Sequence, residues 1–234
     1  HIAVGALNAN DDSMTSFSSW GPGDDGRIKP DISAPGCEAG GDGGVRSCAS
    51  SGDTSYSVKC GTSMASPTVC GLSALLLQDY RIQYAGDPDF RNATLKGLWA
   101  HTAVDLGNVG PDYQFGYGSV RVEPALLQMR SGNWLENQAS QGDVYSVLVI
   151  VNPGDPQLKV TLTWDDVPAT PNSNPVLVND LDLVVFDPSN NQRFPWTLNH
   201  LNPSAPAVQT QADHINNIEQ VVVNLLANAK RYGE

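Results

Sequence analysis

The sequence predicts a chain in two parts, an α/β part over residues 1–130 followed by an all-β part over 131–234. Three observations predict it. Ile2 to Ala6 reads as a short apolar strand, and Met64 to Tyr80 carries Ala, Leu and Val nearly all round at helical spacing, which predicts a buried helix. From about Ser131 the period changes to two. Val144 to Val151, Leu158 to Trp164, Leu181 to Phe186 and Gln220 to Leu225 alternate as strands between Pro, Asn, Asp and Gly, which is the pattern of a β-sandwich or jelly roll.

After the first helix a second is expected. It runs from about Asn92 to Thr102, with Leu95, Leu98, Trp99 and Val104 as its inward stripe and Gly107 as its terminator. Asn92-Ala93-Thr94 has the form of a glycosylation acceptor, but its place at a helix start predicts a capping role for Asn92.

The segment with most chemistry in it is Gly61-Thr62-Ser63-Met64-Ala65-Ser66-Pro67. Gly61 permits a sharp turn, and Pro67 is tolerated while the helix is still in its first turn, where backbone N–H groups lack partners. A lone Ser there is ordinarily an N-cap. Placed at the positive end of the helix dipole, Ser63 instead has the surroundings of a nucleophile, and its own N–H becomes a donor for an oxyanion.

The surrounding blocks favour the second reading. Gly61 to Pro67 resembles the nucleophile segment of subtilisin-like serine proteases, and so do Ser16-Phe17-Ser18-Ser19-Trp20-Gly21-Pro22, Lys29-Pro30-Asp31-Ile32-Ser33-Ala34-Pro35-Gly36 and the opening His1 to Ala6. Tyr113 to Val120 resembles that family's closing segment, which implies a short final helix near Val122 to Met129. Thr161 to Asp166, Leu177 to Leu183 and Asn216 to Gln220 resemble the β-sandwich appended in its alkaline-protease branch. The resemblance implies a parallel sheet with a buried central helix and an acyl-enzyme formed on Ser63. It also implies a triad in chain order Asp, His, Ser. The only histidine before Ser63 is His1, outside any His-Gly-Thr type motif, and His101, His200 and His214 follow it without the expected neighbours. General base, orienting Asp and oxyanion Asn are therefore expected to be absent from these residues, and the chain is expected to be a catalytically incomplete carboxy-terminal half.

Composition bounds the remaining possibilities. Hydrophobic residues make up 40% and charged residues 16%, an ordinary globular balance with many turns. A net charge of −12 and no basic run longer than Lys230-Arg231 argue against nucleic acid, and no apolar run reaches membrane-spanning length. Cys37, Cys48, Cys60 and Cys70 match no zinc spacing. Cys37 and Cys48 bracket a Gly-rich stretch and are expected to be joined; Cys60 and Cys70 are either a second bridge or small buried residues. A secreted chain is expected, with no organic cofactor.

Asp outnumbers Glu twenty to five. Asp180 and Asp182 alternate on one strand face, and Asp213, Asn216 and Glu219 gather before the last strand. Hard oxygen donors of this kind suit Ca²⁺, and the resemblance implies calcium in this domain; turn formation is the plainer role for such residues. The chain closes on Lys230-Arg231-Tyr232-Gly233-Glu234 where further strands are expected, so the sandwich is expected to have an open edge. Three functions remain in play. They are part of a secreted endopeptidase acting on peptides or proteins, a non-catalytic binding module on the sandwich, and a half that is active only when the missing amino-terminal half binds.

Overall fold

The computed structural model describes residues 1–225 except 42, 172 and 175. The elements are β1 (Val4–Asn8), β2 (Ile32–Cys37), β3 (Val45–Cys48), β4 (Tyr56–Lys59), α1 (Thr62–Gln83), α2 (Asn92–Thr102), α3 (Val122–Arg130), β5 (Gln157–Thr163), β6 (Val185–Phe186), β7 (Gln192–Arg193) and β8 (Ile218–Asn224).

β1 and β2 run parallel, with Val4 opposite Ile32 and Ala6 opposite Ala34. Asp31 sets that register: its buried carboxylate accepts from Ala3 N at 2.7 Å and from Lys29 Nζ at 2.6 Å. The closing segment lies along the other edge of β2, where Ser33 N donates to Gly118 O at 2.8 Å and Val120 N donates to Ser33 O at 2.9 Å. Gly118 has φ of +115° and abuts the Val104 carbonyl, so a side chain there meets both strain and backbone.

α1 crosses this pair, burying Ala65, Val69, Leu76 and Tyr80. Its approach is close because of Gly36, where a Cβ would lie 2.8 Å from Ala6 Cβ and 2.7 Å from Gly61 O. The helix is not buried all round as its composition predicts. Ser66, Pro67, Cys70, Gly71 and Ala74 are exposed, with Leu75 52% and Ile82 67% exposed, because only one side of α1 has strands beneath it. Pro67 is the sixth helical residue, beyond the first turn; its missing N–H leaves the Ser63 carbonyl without the usual i+4 donor.

α2 matches its expected span. Its N-cap is Arg91, with no side-chain capping bond, so Asn92 is not a cap. Trp99 is fully buried and its Nε1 donates to Ser73 Oγ of α1 at 3.0 Å. The helix stops at Thr102 rather than near Gly107, and Val104 is 43% exposed, because its backbone turns to bridge Ser119.

The second part differs from expectation in strand content. β5 and β8 pair antiparallel, Thr163 opposite Ile218 through Gln157 opposite Asn224, and β6 pairs β7 over two residues each. Leu181 to Val184 is not strand, and Val144 to Val151 lies unpaired with Val144 87%, Leu148 90% and Ile150 81% exposed. Hydrophobic alternation supplies faces but not a partner, so a run of this kind pairs only where another strand is presented to it. A closed sandwich is thus not seen among the described residues. The chain end, on which the open-edge expectation rests, lies outside them.

The β5–β8 ladder is not a detached unit. Its Lys159, Thr161, Thr163 and Gln220 face α2: Thr163 Oγ1 donates to Ala93 O at 2.8 Å, Lys159 Nζ donates to His101 O at 3.1 Å, and Ile218 joins the core of the first part. By alternation, the opposite face carries Leu158, Val160, Leu162, Val221, Val223 and, alone among them in polarity, Glu219.

Candidate active site

Ser63 is the second residue of α1, and its side chain is exposed. The turn that delivers it is fastened to the sheet by Gly61 N donating to Gly36 O at 2.9 Å. Gly61 O then accepts from Met64 N at 2.9 Å and Ala65 N at 3.3 Å, which closes the first turn. The N–H groups of Thr62 and Ser63 come before that closure and, among the described residues, have no backbone partners at the helix start. Positive dipole end, N–H groups without backbone partners and an exposed hydroxyl therefore coincide, an arrangement suited to holding negative charge.

Among the described residues Ser63 Oγ has no hydrogen-bond partner. The histidines are occupied or distant in role. His101 Nδ1 lies 2.9 Å from Thr161 Oγ1, and burial, assisted by the charge of Lys159, depresses its pKa to about 4, so it stays neutral. His214 Nδ1 is 2.8 Å from Asp180 Oδ2, His200 stacks against Gly26, and His1 is exposed at the chain start.

The disulfide corrects the expected pairing. Cys37 is bonded to Cys60, with Cα atoms 4.5 Å apart, while Cys48 and Cys70 are free and exposed. The β3–β4 hairpin is the reason. Its register places Val45 opposite Lys59 and Cys48 opposite Tyr56, so the two chain ends of the hairpin meet at Cys60 and Cys48 is carried outward. The signal was present in the alternating runs Val45 to Cys48 and Tyr56 to Lys59 around Ser50-Ser51-Gly52-Asp53-Thr54-Ser55. This bridge ties β2 to the residue before Gly61 and closes a loop of separation 23. Cys60→Ser is expected to lower stability by about 3 kcal/mol, and Cys48→Ser to leave it unchanged, as read by denaturant unfolding without reductant. Equal effects of the two replacements would refute the assignment.

The five expected calcium ligands do not meet at one point. Asp180 and Asp182 are exposed and gather with His214, all three offering ligand atoms within 4.8 Å of one another. His214 carried no sequence signal beyond its place next to Asp213. Asp213 is buried and spent on Ile215 N at 2.8 Å and Asn216 Nδ2 at 2.8 Å, and Asn216 Oδ1 accepts from Ile28 N at 2.8 Å. Glu219 is fully buried; Oε2 accepts from Leu183 N at 2.6 Å, and Oε1 has no partner among the described residues. Burial on an apolar sheet face pushes its pKa up to about 9.

A family model described as the subtilase family, peptidase S8, matches residues 1–118. The chain belongs to the subtilase family. This subtilase is 42% identical over 71 residues to the C5a peptidase of Streptococcus pyogenes, across 30% of this chain and 6% of that protein. It is 26% identical over 287 aligned positions to the serine protease/ABC transporter B family protein tagB of Dictyostelium discoideum, across 92% of this chain and 15% of that protein. Among solved structures it is similar to a lanthipeptide protease, with a TM-score of 0.45, 27% identity, and coverage of 55% of this chain and 41% of that one. Fervidolysin from Fervidobacterium pennivorans, a keratinolytic enzyme related to subtilisin, is matched with a TM-score of 0.40 and 21% identity over 94% of this chain and 26% of that one. The subtilase chain therefore spans a small fraction of the curated relatives it matches.

Proposed function

We propose that this chain supplies the nucleophile of a secreted subtilisin-like serine endopeptidase, in which Ser63 attacks a peptide carbonyl and forms an acyl-enzyme. The observation that carries the reading is Ser63 itself, exposed at a helix start with neither its hydroxyl nor its N–H bonded among the described residues. General base, orienting Asp and oxyanion Asn come from polypeptide outside these 234 residues, a reading supported by Ser63 Oγ having no histidine as hydrogen-bond partner among the described residues. The uncovered face of α1, running from Ser63 through Pro67, Cys70, Gly71 and Ala74, borders the nucleophile and supports an additional amino-terminal half packing there. A disulfide beside the nucleophile turn supports an oxidising, extracellular setting. A fluorophosphonate probe tests the reading. Ser63 is expected to be labelled rapidly once polypeptide carrying the family's Asp and His segments is added, and Ser63→Ala is expected to abolish labelling. Labelling elsewhere, or none after complementation, would overturn it.

For residues 131–234 we propose a β-sandwich of the alkaline-protease branch. The apolar face of β5 and β8 is the shape of a sandwich interior, and the exposed alternating run Val144 to Val151 joins β5 through the turn at Asn152 to Asp155, as a hairpin partner does. A non-catalytic binding role is the second reading, favoured by the same exposed run. Calcium in this part would be held by Asp180 and Asp182, with the unpartnered Oε1 of Glu219 as the buried donor in the same neighbourhood. A millimolar calcium addition is expected to raise the melting temperature relative to chelator, and Asp180→Asn with Asp182→Asn to remove the difference. An unchanged melting temperature in wild type would reject the site.

A further inference from the structure

We propose that Asn92 is an acceptor for an N-linked oligosaccharide. The triplet Asn92-Ala93-Thr94 is the sole Asn-x-Ser/Thr of the sequence in which x is not Pro; Asn202-Pro203-Ser204 has the form but is blocked by its proline. A capping role would have taken the amide, and the structure removes that role. Arg91 is the N-cap, Asn92 is the first helical residue, and its exposed side chain makes no hydrogen bond among the described residues. Nothing among the described residues uses it.

The folded surroundings also fix when transfer takes place. Thr94 Oγ1 donates to Glu136 Oε1, and Arg91 N donates to the same oxygen at 2.6 Å. The hydroxyl that an oligosaccharyltransferase must engage is thus occupied once Glu136 docks. Transfer therefore precedes docking of a segment more than forty residues downstream. In the reaction the Asn92 amide nitrogen forms a bond to the anomeric carbon of a lipid-diphosphate-linked oligosaccharide. The bond from that carbon to the diphosphate oxygen breaks, the lipid diphosphate leaves, and the amide proton passes to the transferase.

The glycan leaves the Ser63 site clear. Phe90 packs edge-on against Tyr80 with ring centroids 5.0 Å apart, so α2 begins beside the far end of α1. Ser63 and Tyr80 are seventeen positions apart along the helix, roughly 25 Å of rise. A bulky solvated group there shields the exposed helix start without meeting a substrate at Ser63.

The inference needs passage through a glycosylating secretory compartment. The experiment imposes that passage, so its failure is distinct from failure of the protease reading. The 234-residue chain, directed into the secretory pathway of a eukaryotic host, is expected to carry one glycan that peptide-N-glycosidase removes with deamidation at position 92. Asn92→Gln and Thr94→Ala are each expected to abolish the mass shift, Thr94→Ser to keep it, and Asn202 to stay bare. Chain refolded from a bacterial host is expected to be refused by oligosaccharyltransferase that accepts the same chain unfolded. Secreted, folded protein with Asn92 unmodified, or a glycan that survives Asn92→Gln, would overturn the proposal.

Discussion

Mixed with a fluorogenic peptide, the 234-residue chain is expected to turn over on the order of 10⁶ times more slowly than a complete subtilase, the cost of losing the base in a triad, a magnitude established on subtilisin, a member of the same family. A serine hydroxyl stays protonated near neutral pH unless an imidazole takes its proton during attack. Among the described residues no imidazole is hydrogen-bonded to Ser63 Oγ. His101 is held neutral against Thr161, His214 sits with Asp180 and Asp182, and His200 packs on Gly26. What remains is the helix dipole and the free Ser63 N–H, which without the oxyanion Asn should yield less than the roughly 10³–10⁴ over water that oxyanion hole and binding together retain. Ser63→Ala should leave this residual rate nearly unchanged in the isolated chain. A protease-like rate that Ser63→Ala abolishes would mean that one of these histidines reaches Ser63 in solution.

The second large effect is on stability against pH, and it comes from Glu219. Its folded pKa of about 9 lies above the ordinary 4.5, because the carboxyl is buried on the apolar face of β8 with the charges of Asp213, Asp182 and Asp180 nearby. A single backbone donor, Leu183 N, offsets this only in part. Between those two pH values the folded chain holds a proton that the unfolded chain has released. Stability from this group is therefore fully present below about 4.5 and is lost as pH rises towards about 9. The slope is about 1.4 kcal/mol per pH unit for one proton. Denaturant unfolding in chelator from pH 5 to 9 should show this decline in wild type and its loss in Glu219→Gln, whose amide oxygen still accepts from Leu183 N. The same slope in both proteins would place the titrating group elsewhere. Calcium bound beside Glu219 should flatten the wild-type slope, since a cation favours the ionised form.

Sequence by itself determined the local features of this subtilase. A strand expected over Ile2 to Ala6 and found at Val4–Asn8, and α2 at Asn92–Thr102, follow from short-range periodicity; α3 from Val122 follows from the family resemblance, and Ser63 at a helix start from the Gly-Thr-Ser-Met-Ala-Ser-Pro order. These are written in neighbours a few residues apart, where turn chemistry and helix ends act. Tertiary structure alone decided what meets what. The Cys37 partner was set by a hairpin register that moves Cys48 outward and returns Cys60 to β2. The acidic residues were sorted by packing, which spends Asp213 on Asn216, buries Glu219 and leaves Asp180 and Asp182 beside His214. The outer face of α1 was decided in the same way. An apolar helix shows which residues prefer burial, but whether they are buried depends on a second surface being there to cover them.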